Sequence, residues 1–236
     1  MKPFQFFKRL LYKGLVSFLV APVSGAASVQ PRRDLDTLLQ PGDVILVAGK
    51  TRFASLVCRM TRSTWSHVAI YVGNGHHSDP ARCVVEADVE AGVRMIRLAD
   101  LADHDILVVR ASHLQEASRD ELIAHLLDRV GHRYDLDHVI ALARLLLIAP
   151  LPLARWIRTE SVRRADPTRA ICSTLVAHAL FTAGVSVGAS PLLSARLPAV
   201  GKAQQADQMA GLDYLVPGDF ERLPEFVPVF NSRLPA

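Results

Sequence analysis

The feature that most constrains this chain is a change of period halfway along it. From residue 41 to 111 the apolar residues come in short runs: VILVA, WSHVAIYVG, CVVEADV, GVRMIRL and DILVVRA. Each run is strand-length, and turn signals such as Pro41–Asp43, Asn74–Gly75 and Gly92 separate them. One short helix, over residues 53–61, interrupts the series. From residue 116 onward the spacing becomes helical, with Leu122, Leu126 and Leu127 on one side of EASRDELIAHLLDRV and acids near its start. A second helix, ICSTLVAHALFTAGV, is closed by Gly184. Strands with short connections followed by helices predict an α+β domain: a small antiparallel β-sheet or barrel with helices packed against it. Residues 186–212 read as loop, and LVPGDF and FVPVF as short segments that close the sheet.

Composition supports one folded unit. Half of the 236 residues are apolar and 21% are charged, enough to bury a full core. The three cysteines, Cys58, Cys83 and Cys172, form no CxxC pair, which excludes a disulfide scaffold and argues against a zinc ribbon or a thioredoxin-type pair. The charge of +4 is mild, and no basic stripe with interleaved aromatics marks a nucleic-acid surface.

Residues 1–27 stand apart. Lys2, Lys8, Arg9 and Lys13 precede an apolar stretch and the small residues SGAAS, with no acid among them. This is the pattern of a secretory signal or of an interfacial anchor, in which Phe4, Phe7, Leu11, Leu15 and Phe18 share a helix face. Both readings put the protein at or beyond a membrane. Residues 28–236 form a single domain with a helical insertion at about 136–165. The apolar run HVIALARLLLIAPLPLARWI within it is broken by Arg144, Pro150 and Pro152 and is too short to span a bilayer. It reads as a core helix or as a lid near an apolar substrate.

Two motifs fail. Ala48–Thr51 reads AGKT, but a phosphate loop needs glycine where Val44 stands. His76, His77 and Asp79 cluster on a turn, where solvated surface is the ordinary outcome. No metal site and no cofactor are expected.

Three positions combine into chemistry. Cys172 opens a helix, where unpaired N–H groups and the helix dipole favour a thiolate. His67 lies on a strand, fit to exchange a proton with that thiol, and Glu86 lies on the next strand, where a carboxylate can hold the imidazole. Asp88 and Glu90 are rivals for the last role. Thr64, Trp65 and Ser66, just before His67, are expected to border the cleft, with Tyr134 and Asp135 nearby.

The segments LQPGDVILV, TRSTWSHVAIYVG, VVEADVEAGV, YDLD, ICSTLVAHAL and LVPGDF, in that order, resemble the permuted NlpC/P60 papain-like proteins of the YiiX/YebB kind. The resemblance spans roughly residues 36–230. It implies a circularly permuted papain-like topology with a Cys–His–Glu site on Cys172, His67 and Glu86. It also implies kinship with bacterial amidases and peptidases and with lecithin:retinol acyltransferase-like enzymes. The expected function is a membrane-associated cysteine hydrolase or acyltransferase of the bacterial cell envelope, acting on an amide, ester or thioester. A lipid or acylated substrate is slightly favoured, and the membrane surface is met through residues 1–27. A cell-wall peptide amidase or a non-catalytic binding module are the alternatives.

Overall fold

The computed structural model describes residues 35–148, 169–196 and 207–234. The sequence expectations for residues 1–27, and for most of the insertion after residue 148, lie outside the described residues.

A short helix, α1 (Leu35–Leu38), leads through the Pro41–Asp43 turn into β1 (Val44–Ala48). Then come α2 (Arg52–Thr61), β2 (His67–Tyr71), β3 (Arg82–Asp88), β4 (Gly92–Arg97) and β5 (Asp105–Ala111). The second half brings α3 (Arg119–Leu127), β6 (Arg133–Tyr134), α4 (Leu136–Ile148), β7 (Arg169–Ala170) and α5 (Cys172–Thr182). It ends with α6 (Pro191–Arg196), α7 (Gln208–Leu212), α8 (Asp219–Arg222) and β8 (Phe226–Asn231). The six long strands form one antiparallel sheet in the order β4-β3-β2-β1-β5-β8.

The sheet is open rather than a closed barrel, with β4 and β8 at its edges. Two further expectations are corrected. The 186–212 stretch carries α6 and α7, because Leu193 and Leu212 are drawn into the core. LVPGDF is a turn entering α8, in which the Asp219 carboxylate accepts from the Val216 amide at 3.0 Å; FVPVF alone supplies the edge strand.

Both faces of the sheet are covered, which explains the near-continuous apolar runs. Val44, Leu46, Val68, Ile70, Val85 and Met95 point to one face, where they pack with Leu175, Val176, Ala179 and Leu180 of α5 and with α3. Ile45, Val47, Ala69, Val84, Ile96 and Val108 point to the other, under Leu35 and Leu39. Burying each such side chain contributes roughly 1.5–3 kcal/mol. Asp43 is 1% exposed and grips Arg110 through both oxygens, at 2.7 and 2.8 Å, tying β1 to β5.

One glycine positions the second half on the first. Gly92 opens β4 with φ of 75°, and a Cβ there would collide with the carbonyl of His132. The close approach lets the chain at 131–132 hydrogen-bond to Val93 on both sides, each at 2.8 Å. β6 follows at once and pairs in parallel with β7, setting Tyr134 opposite Ala170. Ala170 is two residues before Cys172, so this small pair carries Tyr134 to the start of α5.

Candidate active site

His67 is the first residue of β2, and Glu86 lies on β3, whose Cα partner is Ala69. The two are therefore diagonal neighbours on one face, within reach of long side chains. His67 Nε2 and Glu86 Oε2 are 2.8 Å apart. His67 also interacts with the Cys172 side chain. Cys172 begins α5, so its backbone N–H is among the first-turn amides that have no acceptor inside the helix. No acid stands in that first turn to offset their positive field.

The electrostatics follow from these contacts. Burial opposes a charged His67, but the Cys172 and Glu86 side chains outweigh it and push the imidazole up to about 10. Burial likewise opposes a charged Glu86, yet His67 and Arg94 hold the carboxyl down at about 2. The carboxylate is thus ionised and the imidazole positively charged at neutral pH. Tyr134 is raised well above its ordinary value, first by burial and then by Cys172 and nearby carboxylates, so its hydroxyl keeps its proton beside the thiol.

Arg94 was invisible as a site residue in sequence, where it looks like the solvent side of a strand. In the fold it is the cross-strand partner of Glu86 and donates from Nε to Oε1 at 2.9 Å. Among the rivals for the carboxylate role, Asp88 accepts the amides of Glu90 and Ala91 at the β3–β4 turn and pairs with Arg94 at 3.6 Å. Glu90 is exposed at that turn.

The other expected residues divide. Tyr134 and Ser66 line the cleft, and Ser66 Oγ accepts the Gly49 amide at 2.9 Å. Trp65 does not border it. Its ring is 1% exposed in the core, its Nε1 donates to Glu221 at 2.9 Å, and Arg233 stacks on it at 4.9 Å. Thr64 is exposed and lines neither part of the cleft; its carbonyl accepts the Cys58 thiol at 3.5 Å. Both residues precede β2, and the split follows from what each side chain meets: Glu221 and Arg233 for Trp65, the Gly49 amide for Ser66. Asp135 accepts the His138 amide at 3.1 Å, capping α4.

The cleft has two chemically distinct parts that share Phe53, Ser66 and Tyr134. One is a polar cavity of about 370 Å³ bordered by Lys50, His67, Glu86, Asp88, Arg94 and His104. The other is a narrow slot of about 70 Å³, almost wholly apolar, with Cys172 in its wall between Val57 and Met60 of α2 and Val139 and Leu142 of α4. Cys172 faces the apolar side and the imidazole–carboxylate pair the polar side.

Residues 38–143 match the model of the permuted papain-like amidases of the YaeF/YiiX type, the C92 family. That stretch contains His67, Glu86, Arg94 and Tyr134; Cys172 lies beyond it. Among solved structures the chain is similar to one described as the metalloprotein YiiX from Escherichia coli O157:H7. The identity is 19% and the TM-score 0.53, over 82% of this chain and 97% of that one. Among the described residues here, no group of three or more His, Cys, Asp or Glu is arranged to hold a metal ion. No curated protein matches the sequence.

Proposed function

We propose that Cys172, His67 and Glu86 are the nucleophile, acid–base and orienting carboxylate of a cysteine hydrolase of the permuted papain-like amidase type, whose family model matches residues 38–143. The observation that carries this is the His67 ring, bonded through Nε2 to Glu86 at 2.8 Å while it also meets the Cys172 thiol. Cys172 Sγ attacks the carbonyl carbon of an amide, and an S–C bond forms. The oxyanion that develops is met by the Cys172 N–H and the Tyr134 hydroxyl. His67 gives its proton to the nitrogen as the C–N bond breaks, and the amine leaves. His67 then takes a proton from water, which attacks the thioester and releases the acid.

The division of the cleft supports an acylated substrate. The acyl part meets the apolar slot beside Cys172, and the leaving amine departs on the polar side, where His67 stands ready to protonate it. A transferase variant of the same chemistry replaces water with another acceptor. The basic, apolar segment 1–27 supports a membrane-associated enzyme of the bacterial envelope. A cell-wall peptide amidase is the competing reading, and it calls for fixed charges in the slot that holds the acyl side.

Thiol-directed probes bearing either a fatty acyl chain or a short peptide test this, with mass-spectrometric mapping of the labelled cysteine. Cys172 is expected to react far faster than Cys58, whose thiol burial pushes up, and faster than buried Cys83. The label should collapse in His67→Ala, with the acyl probe preferred. Equal reactivity of the three cysteines, unchanged by His67→Ala, would overturn the assignment in favour of a binding module.

A further inference from the structure

The helix that walls the slot has a second character. α2 buries Ala54 and Thr61 in the core. Phe53, Leu56, Val57 and Met60, at the i, i+3, i+4, i+7 spacing of one helix face, line the slot. Leu56 is nevertheless 46% exposed, and Ile140 on α4, which packs against α2, is 41% exposed. Leu56 thus stands open to solvent at the slot's mouth, and Ile140 is the chain neighbour of slot-lining Val139.

The charges beside Leu56 have one sign. Arg52 and Arg59 are four residues before and three after Leu56, the positions that neighbour it on a helix surface. Arg62 caps the same helix. From Val44 to Ser78 the chain carries Lys50, Arg52, Arg59 and Arg62 and no aspartate or glutamate. On α4, Ile140 stands between exposed Asp137, three residues before it, and exposed Arg144, four after it. Glu221, the acid next to the slot-lining Pro217 turn, is engaged by Trp65.

An apolar stripe flanked by arginines is the composition of a helix that lies in a lipid interface. We infer that the mouth of the slot, between α2 and α4, docks on an anionic bilayer surface. Leu56 enters the acyl region, and Arg59 and Arg62 lie over the lipid phosphates. The described slot is small, so an acyl chain longer than its inner part emerges past Leu56, into the same apolar phase. The purpose of docking rests on the acylated-substrate reading; docking itself requires no turnover and is measured apart from it.

The test uses the full chain with Leu56→Trp, and separately Val227→Trp on the exposed side of β8, against the wild-type tryptophan background. Each is mixed with phosphatidylcholine vesicles, with and without phosphatidylglycerol, carrying brominated acyl chains. Extra quenching is expected for Leu56→Trp on the phosphatidylglycerol vesicles and not for Val227→Trp. Arg59→Glu should weaken vesicle binding by roughly tenfold or more, and salt should weaken it further. The inference is overturned if no vesicle binds. It is also overturned if the chain binds with the two introduced tryptophans quenched alike, which would mean that another segment, such as residues 1–27, holds it. Binding that Arg59→Glu leaves unchanged overturns it too. Probe labelling of Cys172 in Val227→Trp, whose substitution lies outside the cleft, reports on the catalytic reading independently.

Discussion

Arg94 holds Glu86 by a single carboxylate oxygen: Nε and Nη2 both reach Oε1, at 2.9 and 2.8 Å. Among the described residues, Oε2 is thereby left for His67, at 2.8 Å. The arginine fixes which way the carboxylate faces, and the carboxylate fixes the ring. Arg94→Gln is therefore expected to lower kcat on the order of 10- to 100-fold, the loss that follows misalignment of a reacting group. KM should change little, and Arg94→Lys should recover part of the loss. Steady-state kinetics over a pH range checks this, because a purely structural role would lower the amount of folded enzyme without altering kcat per folded molecule.

The pH profile should shift in a stated direction when Glu86 is neutralised. Glu86 is one of the two side chains that push His67 up to about 10. In Glu86→Gln that support is removed, so the imidazole loses its proton at lower pH. The alkaline limb of kcat/KM should move down toward the ordinary histidine value of 6.5. A limb that stays in place would show that Glu86 does not set the ionisation of the ring.

Stability should also follow pH through this pair. His67 is raised from 6.5, so its stabilising contribution is complete below 6.5 and is lost as pH rises toward about 10. Glu86 is lowered from 4.5, so its contribution is complete above 4.5 and is lost as pH falls toward about 2. Thermal melts should place this pair's best region between about 4.5 and 6.5. The difference in Tm between wild type and Glu86→Gln should be largest there and shrink on both sides.

Ala143 on α4 borders the apolar slot. Filling it with Ala143→Phe should raise KM for long-chain acyl amides while leaving short-chain amides nearly unchanged, because only the longer chain must pass the added ring. Competition between acyl probes of different length for Cys172 reads this directly. Equal loss for both lengths would place the acyl group elsewhere.

Asp43 is buried against Arg110. Asp43→Ala leaves the guanidinium without its partner and is expected to cost about 3 kcal/mol, at the low end for a broken buried pair because Arg110 keeps some contact with water. Denaturant melts measure the loss, and kcat per folded molecule should be unaffected, since the pair lies on the β1–β5 side of the sheet.

The elements, and the residue types of the candidate site, were legible in the chain. Strand-length apolar runs between turn residues are a local property, so five of the six long strands follow from them, and the pleat of a strand then gives the shared face of His67 with Ala69, and of Glu86 with Val84. Cys172 at a helix start follows from the apolar run it opens and from Gly184 at its end. What tertiary structure alone decided is contact between remote elements. Arg94 is an exposed-side arginine until the β3–β4 register places it opposite Glu86. Tyr134 reaches Cys172 only because β6 pairs with β7 across the insertion and Gly92 lets that segment approach. Trp65 and Ser66 are adjacent in the chain, yet one is core and the other lines the cleft, which depends on what covers each face. The division of the cleft into an apolar and a polar half is also a product of packing, since α2 and α4 are joined to the cysteine helix by no local pattern. Short-range sterics set the period of each segment; which segments meet is chosen by the burial of distant surfaces against one another.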